Sequence, residues 1–464
     1  MSIDDLYLNT NKKVFITKGS FGHIYYKNNR ALKYCNIFSD DRLLDSTIRE
    51  CTYYSITKEA NIYTDNYKIV FDMPIYYKEL SYIKDINLAI KFAHSILIQL
   101  YKLHKQGMTH GDLKPSNVMI VDNNVKLIDF GSVCFFHPVK FKNGDNISSH
   151  KSIKQHYPRC TYKYCSPEEL ISEYYSPSND IWSFGILCFE MLTGKSFIDS
   201  LLLFIGFSTD DINKFNQQQT TNTPTVIKQF LAQIYQLLSY HILYQFLLKY
   251  IHHKGFLKLI QYCLIKDYNI RSTIEILLIN DLFISLQKPS TKVSLNHYPF
   301  INNSIYKLVP FNSLCPKISL LDRNHLIHKL YTIAISNFKY FGQDIVLHSI
   351  LIFDKLLLYI QDIILPDLLI TFALSISSAI LRFIPIKISL IKELSNINDT
   401  TFIKDKFIEF LYILDFKAFY YSPDIIFSII NYTLDSNKKF NLDHILTLIE
   451  TNILLEETSF YLLS

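Results

Sequence analysis

Between Thr109 and Ser132 the chain reads THGDLKPSNVMIVDNNVKLIDFGS, an H-x-D-L-K-P-x-x-N loop followed, twelve residues after its Asn, by D-F-G. Side chains of these types at this spacing suit the in-line transfer of a phosphoryl group, which needs little covalent help but much positioning and charge neutralisation. Asp112 stands where a base would orient an acceptor hydroxyl. Lys114, two residues on, can reach moving phosphoryl oxygens, and Asn117 and Asp129 offer the hard oxygens that suit Mg²⁺. A lone D-F-G or H-x-D triplet arises often by chance, whereas the ordered set at this spacing is specific.

Such a site needs elements to carry it. Upstream, VFITKGSFGHIYY reads as strand, turn, strand, with Gly19, Ser20, Phe21 and Gly22 in the turn; glycines there let backbone N–H groups approach phosphates. Ala31-Leu32-Lys33 closes the next extended run, and Lys68 to Met73, KIVFDM, reads as an edge strand. Ala89 to Gly107 carries apolar residues at helical spacing (Ala93, Ile96, Leu97, Leu100, Leu103) and stops at Gly107, so a helix delivers the Asp112 loop.

Composition bounds the remainder. The 464 residues suffice for two or three domains, and 49% hydrophobic and 15% aromatic content with only 11 Gly and 14 Pro exclude disordered and linker-dominated classes. A net charge of +5 without a dense basic run predicts no nucleic-acid footprint and no polybasic membrane patch. The eight cysteines lack paired spacing and read as free thiols of a reducing compartment. MSIDDLYLNT has no signal-peptide character, and the longest uncharged apolar stretch, Leu368 to Leu381, falls short of the ~18 residues of a membrane span. The expectation is an intracellular protein with that stretch as a buried helix.

Taken together the motifs resemble the eukaryotic protein kinases. The resemblance implies an α+β, two-lobed kinase fold over residues 12–286, ATP and Mg²⁺ as cofactors, and protein hydroxyls as acceptors. It implies that Lys33 holds the α- and β-phosphates and is paired by Glu50. Ile24 and Ala31 would pack on adenine, Phe71 would be the gatekeeper, and the backbones of Asp72 and Met73 would bond the ring. Asn117 and Asp129 would be the metal ligands. T-Y-K-Y-C-S-P-E places Thr161 to bond Asp112 and Lys114, which favours serine/threonine acceptors. Glu168 and Arg271 match a buried structural ion pair, and Asp180 of D-x-W-S-x-G would brace the catalytic loop. The polar tract Asn216 to Thr223 reads as a surface loop, and KFKNGDNISSHKSIKQH as a polar insertion in the activation segment.

DSTIREC, Asp45 to Cys51, closely resembles the PSTAIRE helix of cyclin-dependent kinases with one residue deleted. That family gathers a phosphothreonine with three arginines. Only Arg49 is kept here; the other positions are Gly111 and Cys134, and the phosphothreonine position is His156. One arginine is a poor nest for a dianion, so activity is expected without activation-segment phosphorylation. Phe21 replaces the inhibitory tyrosine, and Cys165 replaces an arginine used by proline-directed members.

After a linker, 287–320, the tail 321–464 shows helical periodicity over Arg323 to Phe341, Asp344 to Ile360, Asp367 to Phe383 and Phe402 to Phe416, without strands. RNHLIHKLYTIA resembles the opening helix of the cyclin box, FDKLL (Phe353 to Leu357) the end of its second helix, and FLYILDF (Phe410 to Phe416) its fifth. The resemblance implies an all-α cyclin-like domain that contacts the Asp45 to Cys51 helix and activates the kinase in cis. The family's contact lysine and glutamate fall at Ala379 and Phe407, with Glu409 the nearest carboxylate. An active kinase with an unrelated docking or oligomerisation tail and a pseudokinase scaffold are the alternative readings.

Overall fold

The computed structural model describes residues 13–19, 22–38, 41–135, 161–171, 176–221, 224–286, 306–310, 320–337, 343–357, 366–381, 388–416 and 453–457. Ser20, Phe21, His156, the activation-segment insertion and the 1–11 extension lie outside them. The chain forms two compact units: the described residues of Met1–Ile75 and Pro299–Ser464 make one, and those of Tyr76–Pro138 and Asn146–Tyr298 the other. Thus the tail belongs to the same unit as the N-terminal strands rather than standing alone after residue 286.

That unit begins with β1 (Val14–Gly19), β2 (Gly22–Lys27) and β3 (Arg30–Cys35), then helix α1 (Asp41–Thr57), then β4 (Asn61–Asp65) and β5 (Lys68–Pro74). They form a five-stranded antiparallel sheet in the order β1-β2-β3-β5-β4. Two tight hairpins set the register. Asn28-Asn29 (φ 51° and 60°) joins β2 to β3, and Asn66-Tyr67 (φ 48° and 62°) joins β4 to β5, both with the paired positive φ of two-residue turns.

The second unit follows: β6 (Lys78–Glu79), α2 (Ile86–Lys105), β7 (Met108–Thr109), β8 (Val118–Val121), β9 (Asn124–Leu127), β10 (Cys134–Phe135), α3 (Pro167–Ile171), α4 (Pro177–Thr193), α5 (Phe197–Phe204), α6 (Thr209–Thr221), α7 (Pro224–Leu237), α8 (Tyr240–Tyr250), α9 (Lys254–Cys263) and α10 (Ile274–Leu278). Helix α2 starts where Asp85 accepts from the Asn87 and Leu88 amides and buries Ala89, Phe92, Ala93, Ile96, Leu97, Leu100 and Leu103. A capping box at Ser176 and Asn179, with Pro177 in the first turn, opens α4. Contrary to the expected loop, the polar tract from Asn216 as far as Thr221 is helical, the last turns of α6. Ser208 and Asp211 cap each other's amides at its start, and Ile212 and Phe215 are buried, so an apolar face anchors the helix. Cys35, Cys51, Cys134, Cys188 and Cys263 are free and buried, but Cys165 is disulfide-bonded.

The tail returns to the first unit. It comprises β11 (Tyr306–Pro310), α11 (Leu320–Asn337), α12 (Gln343–Leu357), α13 (Pro366–Leu381), α14 (Ile388–Ser395), α15 (Thr400–Ile413) and β12 (Ile453–Glu457). The expected strand-free tail is corrected by the antiparallel pairing of β11 with β12, Tyr306 opposite Glu457, which also puts a strand inside the presumed linker. Helix α14, eight residues long, was too short for its periodicity to register. Helix α13 packs against α11, α12, α14 and α1, and is buried from Leu368 to Ile380. Being covered on every side is why it reads as an unbroken apolar run. Inside it Ser377 hydrogen-bonds His348 Nδ1 at 2.8 Å, and burial lowers the His348 pKa to about 3. No helix among the described residues is long and apolar enough to cross a membrane.

Phe372 of α13 meets Phe407 and Phe410 of α15 edge-on, at 4.7 and 5.0 Å between ring centroids. Phe372→Ala should therefore destabilise this unit by about 3–5 kcal/mol, read as a lowered midpoint in denaturant unfolding of the full chain.

Candidate active site

In the first unit the site is built on two adjoining elements. Alternation along β3 turns Lys33 toward α1, where Glu50 awaits it: Lys33 Nζ lies 2.7 Å from Oε2 and 3.0 Å from Oε1. Lys33 is 6% and Glu50 1% exposed, so neither charge has water to fall back on. Opposite Lys33 across the sheet stand Ile24 on one side and Phe71 on the other, the latter fully buried against the Tyr54 ring. Ala31 pairs with Met73 and is buried.

Asp72 is held by Arg30. Its carboxylate accepts from Arg30 Nε at 2.7 Å and its carbonyl from Arg30 Nη2 at 2.9 Å, leaving that oxygen one lone pair for an outside donor. Gly19 and Gly22 pair across the β1–β2 turn. A Cβ on Gly22 would sit 2.6 Å from the Tyr34 carbonyl, so close approach to β3 is one reason for glycine here.

The tail reaches the helix that carries Glu50. Arg49, fully buried, donates through Nη2 to the carbonyls of Ala379 at 2.6 Å and Ile380 at 2.5 Å, in the last turn of α13. Ser55 Oγ donates to the Asp415 carbonyl at 2.7 Å, and Tyr412 Oη lies 3.1 Å from the amide of Thr64 on edge strand β4. Phe407 stacks edge-on to Phe38 at 6.3 Å, and Lys404 lies 5.3 Å from the same ring. Ala379 and Phe407 are thus both at this contact, one through its carbonyl and one through its ring. Glu409 instead pairs with exposed Lys406 on its own helix.

The second unit holds a ring of donors around Asp112. Its Oδ1 accepts from Thr161 N and Thr161 Oγ1, both at 2.8 Å; its Oδ2 accepts from Lys114 Nζ at 2.6 Å and Asn117 Nδ2 at 3.3 Å. Lys114 Nζ also reaches Thr161 Oγ1 at 2.7 Å. Four donors fill the carboxylate, so an incoming hydroxyl must take the place of one of them. Asn117, its Nδ2 turned to Asp112, keeps Oδ1 as its other polar atom, and its carbonyl accepts from Ile128 N at 3.0 Å, which sets Asp129 beside it. Asp129 has φ 64°, a left-handed backbone that an aspartate tolerates better than most side chains. One carboxylate and one amide oxygen fit Mg²⁺, which takes its remaining ligands from water and phosphate. Among the described residues no three His, Cys, Asp or Glu side chains gather into an all-protein metal cage.

Asp180 holds this loop from below. Its carboxylate accepts from the amides of His110 at 2.8 Å and Gly111 at 3.0 Å and meets His104 Nε2 at 2.9 Å. Burial pushes the Asp180 carboxyl up, but His104, His110 and the Gly111 amide outweigh it and leave the pKa below its ordinary value. Gly111 has φ 77°, and a Cβ there would lie 2.2 Å from the Ser132 carbonyl, so no side chain fits this backbone. His110, quoted in the motif without a role, reaches the Ile128 carbonyl at 3.1 Å and packs on Phe130, linking the Asp112 loop to D-F-G. Glu168 and Arg271 form a buried bidentate pair at 2.6 and 2.9 Å. Glu169, which reads like an ordinary helix-start acid, is in fact buried, bonded to Ser166 N at 2.7 Å and Oγ at 2.8 Å.

Residues 46–283 match the Protein kinase domain family. Among similar proteins, a probable serine/threonine-protein kinase of Dictyostelium discoideum, mkcD, is 36% identical over 144 residues, 30% of this chain and 20% of that protein. Human dual specificity tyrosine-phosphorylation-regulated kinase 3 is 36% identical over 113 residues, 24% of this chain and 17% of that one. A probable serine/threonine-protein kinase of Encephalitozoon cuniculi is 32% identical over 117 residues, 25% of this chain and 20% of its own length. The chain therefore spans about a fifth of the length of the curated relatives it matches.

Burial raises the Glu169 pKa from 4.5 to about 8, against the lowering effect of the Ser166 hydrogen bonds. Folding thus favours the protonated acid, a contribution present below about 4.5 and lost as pH rises toward about 8. Stability of the wild type should fall across that interval, and Glu169→Gln should flatten the fall, measured as unfolding midpoint against pH.

Proposed function

The chain belongs to the protein kinase domain family, and from that premise we propose that it transfers the γ-phosphoryl group of ATP to serine or threonine hydroxyls of proteins, with its helical tail holding α1 in the working position in cis. The observation that carries the first half is the donor ring on Asp112 formed by Thr161, Lys114 and Asn117. A substrate hydroxyl replaces one donor and is oriented by the carboxylate; Lys114 is then available to the phosphoryl oxygens. Lys33, kept in place by Glu50, takes the α- and β-phosphates, with Ile24, Ala31, Phe71 and Met73 as adenine-side residues and Gly19 to Gly22 over the phosphates. Asn117 and Asp129 hold Mg²⁺, which neutralises phosphate charge. Serine/threonine acceptors are supported by Thr161 beside Lys114 and by the names of two of the relatives.

The second half is supported by the burial of α1 under α13, by the α15 contacts to Phe38 and Thr64, and by the bond from Ser55 to Asp415 just past α15. A cyclin-like order is supported by position: the three cyclin-box-like fragments fall in α11, in α12 and across the end of α15, the first, second and fifth tail helices among the described residues. Turning α1 from 1:99 to 99:1 in favour of the paired state takes about 5.5 kcal/mol of differential contact. A covalent tether with an effective concentration on the order of millimolar lets a weak intrinsic contact suffice.

Asp112→Asn and Asp129→Ala should each abolish transfer to a protein substrate; near wild-type turnover in purified Asp129→Ala would remove the kinase reading. For the tail, a specific protease site placed within 287–305 of the full chain allows the tether to be cut without removing anything. Activity should not depend on concentration before cleavage and should fall roughly tenfold or more on dilution after it. Unchanged activity at every dilution, with the tail separated by gel filtration, would leave the tail as a docking or oligomerisation module.

A further inference from the structure

We infer that Arg49 is the positioning residue through which the tail sets the Lys33–Glu50 pair, by capping the carbonyl end of α13. The inference rests on the proposed kinase activity. Its basis is the sequence adjacency of two buried side chains that point to different partners: Glu50 to Lys33 on the sheet, Arg49 to the Ala379 and Ile380 carbonyls on the tail.

On a helix, neighbouring side chains are about 100° apart, so one rigid turn of α1 fixes both or neither. A rotation that draws Glu50 away from Lys33 also pulls the guanidinium from the two carbonyls. Arg49 and Glu50 are 0% and 1% exposed, so each would lose these charge-assisted bonds without gaining water in exchange. The helix therefore has one azimuth at which both charges are satisfied. The apolar contacts along α15 lack that angular definition, because ring packing tolerates sliding.

The chemistry of the α13 end suits a cation. Ala379 and Ile380 lie in the last turn of α13 as described, Pro366–Leu381, and carbonyls toward a helix C-terminus carry partial negative charge. Two bonds from one Nη2 join the last turn to α1. Engaged in this way and without solvent exposure, Arg49 is not on offer to a phosphate, and Gly111, where a Cβ would collide with the Ser132 carbonyl, contributes no second cation. The cation that a phosphate would need is spent on the tail, and the tail takes the phosphate's place as the ordering ligand.

The test uses the full chain carrying Arg49→Met, Arg49→Lys, Glu50→Gln and the double substitution Arg49→Met with Glu50→Gln, each checked for folding by thermal unfolding. Arg49→Met should lower kcat/KM for ATP roughly tenfold or more, the scale of lost charge-assisted bonds, with the KM for protein substrate unchanged. Arg49→Lys, which keeps a cation within reach of the carbonyls, should recover most of the loss. In the Glu50→Gln background Arg49→Met should add nothing, since its effect runs through Glu50. Equal effects of Arg49→Met with and without Glu50 would show that Arg49 acts elsewhere and overturn the assignment. So would wild-type kinetics in a folded Arg49→Met chain. If that chain is wild-type while cutting the tether still costs activity on dilution, the tail activates through other contacts and the Arg49 role alone fails; if wild-type protein has no transfer activity, the kinase reading fails instead.

Discussion

Two charges taken out of water, Lys33 and Glu50, impose the strictest demand in the first unit. Desolvating such a pair costs several kcal/mol per ion before any attraction is counted, so the pair contributes little net stability while strongly penalising any geometry that separates its members. What it provides is position. Lys33 is held to one place on β3, provided that α1 keeps its angle. Since one side of α1 faces the sheet, whatever covers its other side decides that angle, and in this chain the tail covers it. The carbonyl end of α13, the Ser55 bond to Asp415 and the Phe38–Phe407 contact all act on α1 or the loop that leads into it.

The second unit solves a related problem with hydrogen bonds. Asp112 is almost buried, and its carboxylate is kept ready by four donors rather than by water. Asp180, also buried, faces backbone amides of the residues just before Asp112, so one carboxylate fixes the loop on which the other works. The left-handed turn at Gly111 accompanies that arrangement, and it leaves no room for a side chain beside the Ser132 carbonyl.

The grouping of the chain follows the same logic. The tail begins more than two hundred residues after the last strand of the sheet, yet it is one compact unit with those strands. Burial of α13 on all sides takes α1 as well as α11, α12, α14 and the Phe407 and Phe410 rings of α15. Neither segment would be satisfied alone: α1 would expose Arg49, and α13 would expose an apolar face.

The motif from Thr109 to Ser132 and the helices α2, α11, α12, α13 and α15 were legible from residue type and spacing, because local periodicity and short-range motif spacing are written along the chain itself. The pairing of Lys33 with Glu50 was legible only through the resemblance to the kinases. Asn117 and Asp129 stood out as candidates because metal chemistry restricts ligand type. The rest depended on partners distant in sequence. Arg30 binds Asp72 across 42 positions, and Arg49 reaches Ala379 across 330; no local signal marks either. Glu169 looks like a solvated helix-start acid until tertiary packing buries it, and β11 with β12 are two short runs that become strands only when they meet. Residue types determined what chemistry was possible. Tertiary structure decided which charges lost their water and therefore which partners they had to find, because desolvation depends on everything that surrounds a group and not on its neighbours along the chain.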